Sequence, residues 1–424
     1  MSSLTVNNYK FKCFLVFFTF LFLTGGVQFL YLKLGGSSDR SAGNIYFQIA
    51  ALALYGIHVY LLFTKHSQKS LINLLLNNKA FFAFLIFSLI SFTWSIEFGV
   101  SLRRSLALAL CTLFCIYVAI EYKFSTIIKM IWAVCVFVCI SGYLAALVPG
   151  VGTDPSNFQY PNAWRGFTGN KTDFGRFMAI GFLTSIYLFS IDSLKLKRFL
   201  VSIVFFLPSL YFSQASTPIA ILCFLLILIP LIQYISLGEL NNGKFIPAVY
   251  RVVLIVIIIP LAIYLIYFSY FYAVDVLGKD LTLTGRTSIW EYGLIKAKDH
   301  FWLGTGYRTF WVDSNTYDFF VYNPYWGAFV MNNGHNGFID VYLETGIIGL
   351  ILFIIFLGAY CKRLFIKRLI TDHFIKKQII FSLALLLFYL GYSITEQVTL
   401  EQSDLFWMLL VITHFSVSKM KLDN

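Results

Sequence analysis

Long apolar runs are the feature that most constrains how this chain of 424 residues can fold. A helix needs roughly 20 apolar residues to cross a hydrocarbon layer of about 30 Å. Helices also satisfy their own backbone hydrogen bonds, as a lipid-exposed segment must. The sequence is 59% hydrophobic and only 12% charged, and it predicts an all-α, polytopic membrane protein with about 12 transmembrane helices. The predicted spans are 11–31, 44–64, 80–96, 102–120, 127–148, 174–191, 199–213, 217–236, 250–272, 337–360, 378–394 and 402–418.

The distribution of positive charge predicts the orientation of these spans. With the N-terminus in the cytoplasm, the segments on that side carry 20 of the 32 Lys and Arg residues, which leaves 12 on the other side. Cytoplasmic loops of membrane proteins carry such an excess. We therefore expect both termini in the cytoplasm of a bacterium, with the chain in the inner membrane. The net charge of +12 then requires no nucleic-acid partner.

The predicted spans divide the chain into three parts. Residues 1–272 hold the first nine spans and an outer loop at 149–173, residues 273–336 form one large periplasmic loop, and residues 337–424 hold the last three spans. Within the large loop, residues 301–329 contain twelve Phe, Trp and Tyr. These aromatic residues suit an aromatic belt at the lipid headgroups or a groove that binds sugar, and both interpretations stay open.

An amphipathic helix is predicted in the first half of the large loop. The spacing of its apolar residues is typical of a helix that lies on the membrane, with Thr284 or Thr287 as its N-cap. The residues on the apolar face are Ile289, Trp290, Gly293, Leu294 and Ala297.

His335 is the strongest candidate for a catalytic residue. It ends the large loop and is followed by Asn336, nine further residues, and Gly-x-x-Gly at Gly346 and Gly349. An imidazole titrates near neutral pH and can take a proton from a hydroxyl. Asn336 could orient His335 or cap the next helix, and the glycines suit close helix packing. The alternative is that His335 is a loop residue without a chemical function.

Basic residues on the outer side form a second signal. Guanidinium groups match phosphate with a planar fork of donors and stay charged. An alternative for each of them is contact with lipid phosphate. Arg286 is the candidate for a second catalytic residue beside His335. The candidates for substrate binding are Arg103, Arg104, Arg165, Lys171 and Arg176, together with Asn336.

Acidic residues and histidines give a weaker signal. Asp340 and Glu344 lie one turn apart, and we expect them to pair with outer arginines. Glu396 and Glu401 are expected to be solvated. The histidines and acids show no recognisable metal-ligand spacing, so we expect neither a metal nor another cofactor.

Several short motifs together resemble the O-antigen ligase and polymerase family, and most closely its exopolysaccharide-polymerase branch. In chain order they are WSIEFGVSLRRSLALA (94–109), AWRGFTGNK (163–171), SQAST (213–217), LTGRTSIW (283–290), HFWLGTGYRTFW (300–311) and NNGHNGFIDVYLETGIIGL (332–350). The resemblance covers most of the chain from the third span onward. The His-Asn-x9-Gly-x-x-Gly segment is its most specific part.

The resemblance implies a metal-independent membrane glycosyltransferase of the GT-C type that uses undecaprenyl-diphosphate-linked glycans. It implies that His335 is the base that activates the acceptor hydroxyl, and that Arg286 binds the donor diphosphate, with Arg103, Arg104 and Arg165 as further candidates. This chain departs from the family pattern at Asn170-Lys171-Thr172, because in the family a histidine commonly precedes the lysine. A role for Lys171 therefore does not follow from the resemblance.

Three functions are compatible with these observations. The first is polymerisation of O-antigen, capsule or exopolysaccharide repeat units by an inverting displacement at the periplasmic face. The second is an O-antigen ligase that transfers the glycan to lipid A–core, and the third is a flippase or transporter. The expected partners are lipid-linked donor and acceptor glycans, membrane lipid and a chain-length regulator.

Overall fold

The computed structural model describes residues 3–25, 45–65, 68–148, 150–153, 160–237, 286–312, 333–367 and 372–420. These residues form helices and no strand, with one isolated bridge between Thr153 and Trp164. The predicted all-α class is therefore confirmed. The helices are α1 (Ser3–Phe22), α2 (Ile45–Lys65), α3 (Gln68–Asn77), α4 (Lys79–Ile90), α5 (Phe98–Glu121), α6 (Phe124–Ala146), α7 (Lys171–Ser190), α8 (Leu196–Phe212), α9 (Ser216–Leu237), α10 (Arg286–Lys296), α11 (Gly337–Lys367), α12 (His373–Ser393) and α13 (Leu405–Ser418), with 3₁₀ turns at Ser91–Trp94 and Ala297–His300.

The chain is a multi-pass membrane protein. Five of the described helices, α2, α5, α6, α11 and α12, are long and apolar enough to cross a membrane, and α3 with α4 would make six if that pair is one span bent by 96°. The expected count of twelve spans is not confirmed. The predicted span 250–272 lies outside the described residues, and helices such as α13, with 14 residues, are too short to cross alone.

One end of the helix bundle is basic. The Lys419 ammonium donates to the carbonyls of Ala119 and Ile120 at the end of α5, at 2.6 and 2.8 Å. Lys377 donates to Ser190 O at the end of α7, and Arg363 donates to Asn77 O at the end of α3, at 2.7 Å. Because the last carbonyls of a helix lack partners within the helix, these cations satisfy them and fix the helix ends side by side.

The opposite end of the bundle holds the candidate residues. The N-termini of α5, α7, α11 and α13 lie there, together with the segment 394–404 that joins α12 to α13. We call residues 394–404 the acidic loop because it contains Glu396, Glu401 and Asp404.

Helix α11 is broken at Gly346, where the backbone adopts φ 67° and ψ −170°. The segment Phe301–Gly306 fills the break. The Ile347 amide donates to Phe301 O at 2.9 Å, and the amides of Thr305 and Gly306 donate to Leu343 O and Glu344 O at 3.1 and 2.9 Å. A Cβ on Gly346 would lie 2.3 Å from Trp302 O. Gly346 therefore permits the close approach of a loop, whereas the prediction was the close approach of a helix.

Gly349 lies one turn further along α11. A Cβ there would lie 3.5 Å from the Phe87 ring of α4, and 1.9 Å from Thr345 Oγ1 of its own helix. The packing of α11 against α4 at this glycine agrees with the helix packing predicted for it.

The predicted apolar face of helix α10 packs against protein rather than lying on the membrane. Ile289 and Ala297 are buried in a small cluster with Leu343 of α11, whereas Leu294 is 46% exposed. Thr287 is the second residue of α10 and not its N-cap, and Thr284 lies outside the described residues. The face is apolar, as predicted, because it covers the start of α11.

Candidate active site

The backbone around His335 is held by hydrogen bonds from several side chains. The Asn336 side chain accepts from the amides of Phe338 and Ile339, at 3.0 and 3.1 Å, and so caps α11. The Asn333 side chain accepts from the His335 amide at 3.0 Å. His335 itself has φ 51°, in the left-handed region that a non-glycine residue adopts only where its surroundings impose it. Asn336 therefore caps the helix, which is one of the roles predicted for it.

Gly334 is fixed on both sides of its peptide unit. Its amide donates to the Asp340 carboxylate at 2.9 Å, and its carbonyl accepts from the Trp290 indole of α10 at 2.8 Å. Asp340 also accepts from the Trp311 indole at 2.7 Å. Asp340 was expected to pair with an arginine. This expectation is wrong, because the Asp340 carboxylate instead accepts hydrogen bonds from Gly334 and Trp311 and so holds the loop that carries His335.

Glu396 of the acidic loop joins the two residues predicted to be catalytic. Its Oε2 lies 3.0 Å from His335 Nδ1, and its Oε1 accepts from the Arg286 guanidinium at 2.8 Å. Arg286 also donates to the Thr395 carbonyl. The side chains of His335, Arg286 and Glu396 are 33%, 21% and 17% exposed, so the group lies at the surface of the protein with the imidazole as its most accessible member.

Glu396 carries a negative charge in this arrangement. Burial acts to raise the pKa of Glu396, but the hydrogen bond from His335 and the charge of Arg286 outweigh it and hold the pKa below its ordinary value. A carboxylate can only accept hydrogen bonds, so Nδ1 of His335 is the protonated nitrogen. The neutral ring then has its lone pair on Nε2, and this nitrogen can take a proton from a hydroxyl.

The acidic loop receives a second arginine at Glu401. Arg308 lies 2.9 Å from Glu401 Oε2, and both side chains are mostly buried. Burial acts to lower the pKa of Arg308, but the nearby Glu401 and Glu344 raise it, so the guanidinium stays charged. Glu344 is buried, but no ion pair joins it to an arginine among the described residues, so the pairing expected of it is not confirmed. The Arg104 guanidinium donates to the Arg308 carbonyl, which brings the start of α5 to this group.

A third arginine reaches the acidic loop at Asp404. Arg176 of α7 is buried, with ion pairs of 2.6 Å to Asp404 and 2.7 Å to Asp173. Its guanidinium also lies over the Phe406 ring, 4.8 Å from the centroid. Arg176 therefore links α7 to α13, and this geometry does not present it to a phosphate.

The remaining predicted binding residues each have protein partners of their own. Arg165 is buried and donates to the carbonyls of Gly150 and Val151, at 2.9 and 3.2 Å, so it closes the first outer loop. Lys171 donates to Gln214 O at 3.3 Å and lies over the Tyr160 ring. Arg103 is exposed, and its contact of 3.3 Å is with Gly99 O in its own helix. Among the described residues, Arg103 is thus the predicted arginine most accessible to solvent.

Two of the motifs that carry the family resemblance pack against each other beside the site. The Trp94 indole donates to Leu303 O at 3.0 Å, and the Ile96 amide donates to Thr305 O at 3.0 Å. The Tyr307 amide donates to Ser91 Oγ at 2.8 Å. These bonds tie the turn between α4 and α5 to the segment that fills the break in α11.

The acidic loop is the part of the site that sequence reasoning missed. Glu396 and Glu401 were expected to be solvated, and this expectation is wrong because each is mostly buried and paired with an arginine. The set of arginines on the outer side was the signal that could have revealed these pairs, since buried guanidinium groups require counter-charges. In the described part of the chain, no group of three or more His, Cys, Asp or Glu is placed to hold a metal ion.

Comparison with known proteins covers part of this site. Residues 199–354 match the sequence model of the O-antigen ligase family. The predicted resemblance is confirmed for this region, whereas the motifs at 94–109 and 163–171 lie outside it. A stretch of 118 residues is 36% identical to the exopolysaccharide production protein ExoQ of Rhizobium meliloti (strain 1021), and it covers 26% of this chain and 26% of ExoQ. The matched family region includes Arg286, Arg308 and His335, whereas Arg104, Arg176 and the acidic loop lie outside it.

Proposed function

We propose that this chain is a membrane glycosyltransferase of polysaccharide biosynthesis that joins lipid-linked oligosaccharide repeat units. The observation that carries the proposal is the contact of Arg286 and His335 with one carboxylate, Glu396, because both residues lie in the region similar to O-antigen ligases. A histidine base and an arginine suit glycosyl transfer from a diphosphate, because the first can accept the proton of the acceptor and the second can stabilise the leaving group.

The proposed reaction is a single displacement without a metal. Nε2 of His335 takes the proton from the acceptor hydroxyl, whose oxygen attacks the anomeric carbon of the donor. The bond from that carbon to the diphosphate oxygen breaks, and the diphosphate leaves with the electron pair. The configuration at the anomeric carbon is inverted. The diphosphate is a good leaving group, so no nucleotide is needed outside the cytoplasm.

The donor is an undecaprenyl-diphosphate-linked glycan in this proposal, and arginines stabilise the charge that grows on its diphosphate. Arg286 binds the same carboxylate as His335, and Arg103 is the most exposed of the predicted arginines. Arg104 and Arg308 form a second pair of cations close to the acidic loop. Arg165, Lys171 and Arg176 are assigned to holding loops and helices together, because Arg165 and Arg176 are buried against protein acceptors and Lys171 binds Gln214 O and the Tyr160 ring.

The site is proposed to face the periplasm, with the basic end of the bundle in the cytoplasm. Support comes from Arg363, Lys377 and Lys419, which cap helices at the end opposite to His335. Cytoplasmic ends of spans carry such an excess of Lys and Arg. Both termini are then cytoplasmic.

A ligase that transfers the finished glycan to lipid A–core is the second candidate, since the matching family model is that of O-antigen ligase. The products of a deletion strain separate the two. Loss of a polymerase leaves one repeat unit on the acceptor, whereas loss of a ligase leaves bare core and accumulated lipid-linked glycan.

The experiment that tests the proposal uses the purified full chain in lipid nanodiscs. The probe is lipid-linked glycan extracted from the deletion strain, and the products are separated by size. New glycosidic bonds are expected. Binding or passage of the lipid-linked glycan with no bond formed would instead indicate a transporter.

A further inference from the structure

We propose that Glu396 is a positioning residue, which holds His335 in the tautomer and orientation of a base and sets its basicity. This inference rests on the proposed function, because the orientation of His335 matters to the rate only if the imidazole takes the proton.

The geometry supports this role through the two oxygens of one carboxylate. Oε2 lies 3.0 Å from His335 Nδ1, so the proton on that nitrogen is fixed and Nε2 is left as the accepting atom. Oε1 binds Arg286 at 2.8 Å, which prevents the carboxylate from rotating away from the imidazole. A carboxylate that orients a histidine in this way also stabilises the imidazolium that forms in the transition state.

The acidic loop is anchored firmly enough to serve as a rigid support. Glu401 and Asp404 bind Arg308 and Arg176 at 2.9 and 2.6 Å. The hydroxyls of Thr399 and Tyr389 lie 2.7 Å apart. Because these contacts come from α7, α12 and the segment before residue 312, the loop cannot shift as a unit without breaking several of them.

The segment that carries His335 is fixed by groups outside the acidic loop. Asn333 holds the His335 amide, and Asp340 and Trp290 hold Gly334. The charged groups near the imidazole are Glu396, Arg286 through Glu396, and Asp340, whose charge interacts with that of His335. Glu396 is the one among these three described groups that hydrogen-bonds the ring, so its removal should affect basicity most directly.

Glu396 could influence the reaction through His335 or through Arg286, and kinetics separate these routes. Loss of the negative charge makes His335 a weaker base, so kcat falls and the acid limb of its pH profile moves to lower pH. An effect that passes through Arg286 would instead weaken donor binding and raise KM for the donor.

The test compares Glu396→Gln, Glu396→Asp and Glu401→Gln in nanodiscs, with lipid-linked glycan from the deletion strain as substrate. Glu401→Gln is the matched control because it removes an arginine-paired carboxylate from the same loop. We expect Glu396→Gln to lower kcat roughly 10²- to 10⁴-fold with the acid limb at lower pH. Glu396→Asp should recover part of kcat, and Glu401→Gln should leave the acid limb in place.

Each other outcome overturns the inference. If Glu396→Gln has the wild-type kcat and pH profile while His335→Gln is inactive, Glu396 does not position the base, although the proposed function stands. If Glu396→Gln and Glu401→Gln lose activity equally with the acid limb unmoved, the carboxylates only hold the loop. If His335→Gln is fully active, the proposed base itself is wrong, whatever the Glu396 variants do.

Discussion

At the scale of single residues, the site depends on which acceptors each guanidinium binds. Arg286 uses two nitrogens, one on Glu396 and one on the Thr395 carbonyl. Arg103 lies exposed on α5 with a contact to its own helix. Arg286 and Arg103 were predicted from the same signal, but replacement by lysine removes different hydrogen bonds at the two positions.

Arg286→Lys is predicted to lower activity about 10- to 100-fold, since a lost hydrogen bond to a charged group costs roughly 1.5–3 kcal/mol. The lysine keeps the positive charge but cannot reach both acceptors. Arg103→Lys is the control and should retain more activity. Transfer rates in nanodiscs, at equal protein amounts, test this. Equal activity of Arg286→Lys and the wild type would show that Arg286 only holds the acidic loop and does not act on the donor.

The sequence was sufficient to select His335 and Arg286 as candidates, because a histidine and an outer arginine are unusual in these positions. It was not sufficient to find Glu396, which lies 61 residues from His335 and 110 from Arg286 along the chain. Charge and position alone did not separate Arg286 from Arg176, which only the family resemblance distinguished, and the folded chain shows that Arg176 binds Asp173 and Asp404. The roles of His335 and Arg286 in chemistry stay predictions.

At the scale of secondary-structure elements, the break in α11 determines how the site is built. The Gly346 break lets the segment Phe301–Gly306 bind both halves of the helix. That segment continues to Tyr307 and Arg308, which contact the acidic loop through Leu400 and Glu401. The sequence predicted the helix but not the break, because a glycine in an apolar run is compatible with either.

Gly346→Ala is predicted to destabilise the protein by about 1–3 kcal/mol, because a side chain at φ 67° is strained and would meet the Trp302 carbonyl. Gly358→Ala is the control in the same helix. It is exposed with no atom within 4 Å of its added Cβ, and alanine there should be neutral or stabilising by up to about 1 kcal/mol. Thermal melting in detergent measures both variants. If the two melt alike, the break does not depend on Gly346.

At the scale of the whole molecule, the two ends of the bundle differ in chemistry. At one end Lys and Arg cap the C-termini of several helices, and the other end holds three carboxylates of the acidic loop, each paired with an arginine. Charge counting on the sequence predicted an asymmetry of this kind. It could not predict that the outer arginines are balanced by the acidic loop, because those pairs join distant segments.

The topology predicts where reporters fused to the chain will be found. A reporter after Lys377, whose side chain caps α7 at the basic end, should be cytoplasmic. A reporter near Asn315, which lies outside the described residues, should be periplasmic. Alkaline phosphatase and green fluorescent protein fusions give opposite signals for the two sides. The same signal from both positions would show that the topology is wrong.

The proton-accepting role of His335 is the central claim, and His335→Gln tests it most directly. Glutamine keeps hydrogen-bonding capacity and the side chain is partly exposed, so the variant should reach the membrane at a near-normal level. It cannot take a proton at neutral pH, and glycan transfer in nanodiscs should fall roughly 10²- to 10⁴-fold while donor binding is retained. If His335→Gln transfers glycan at the wild-type rate, His335 is not the base and only supports the loop.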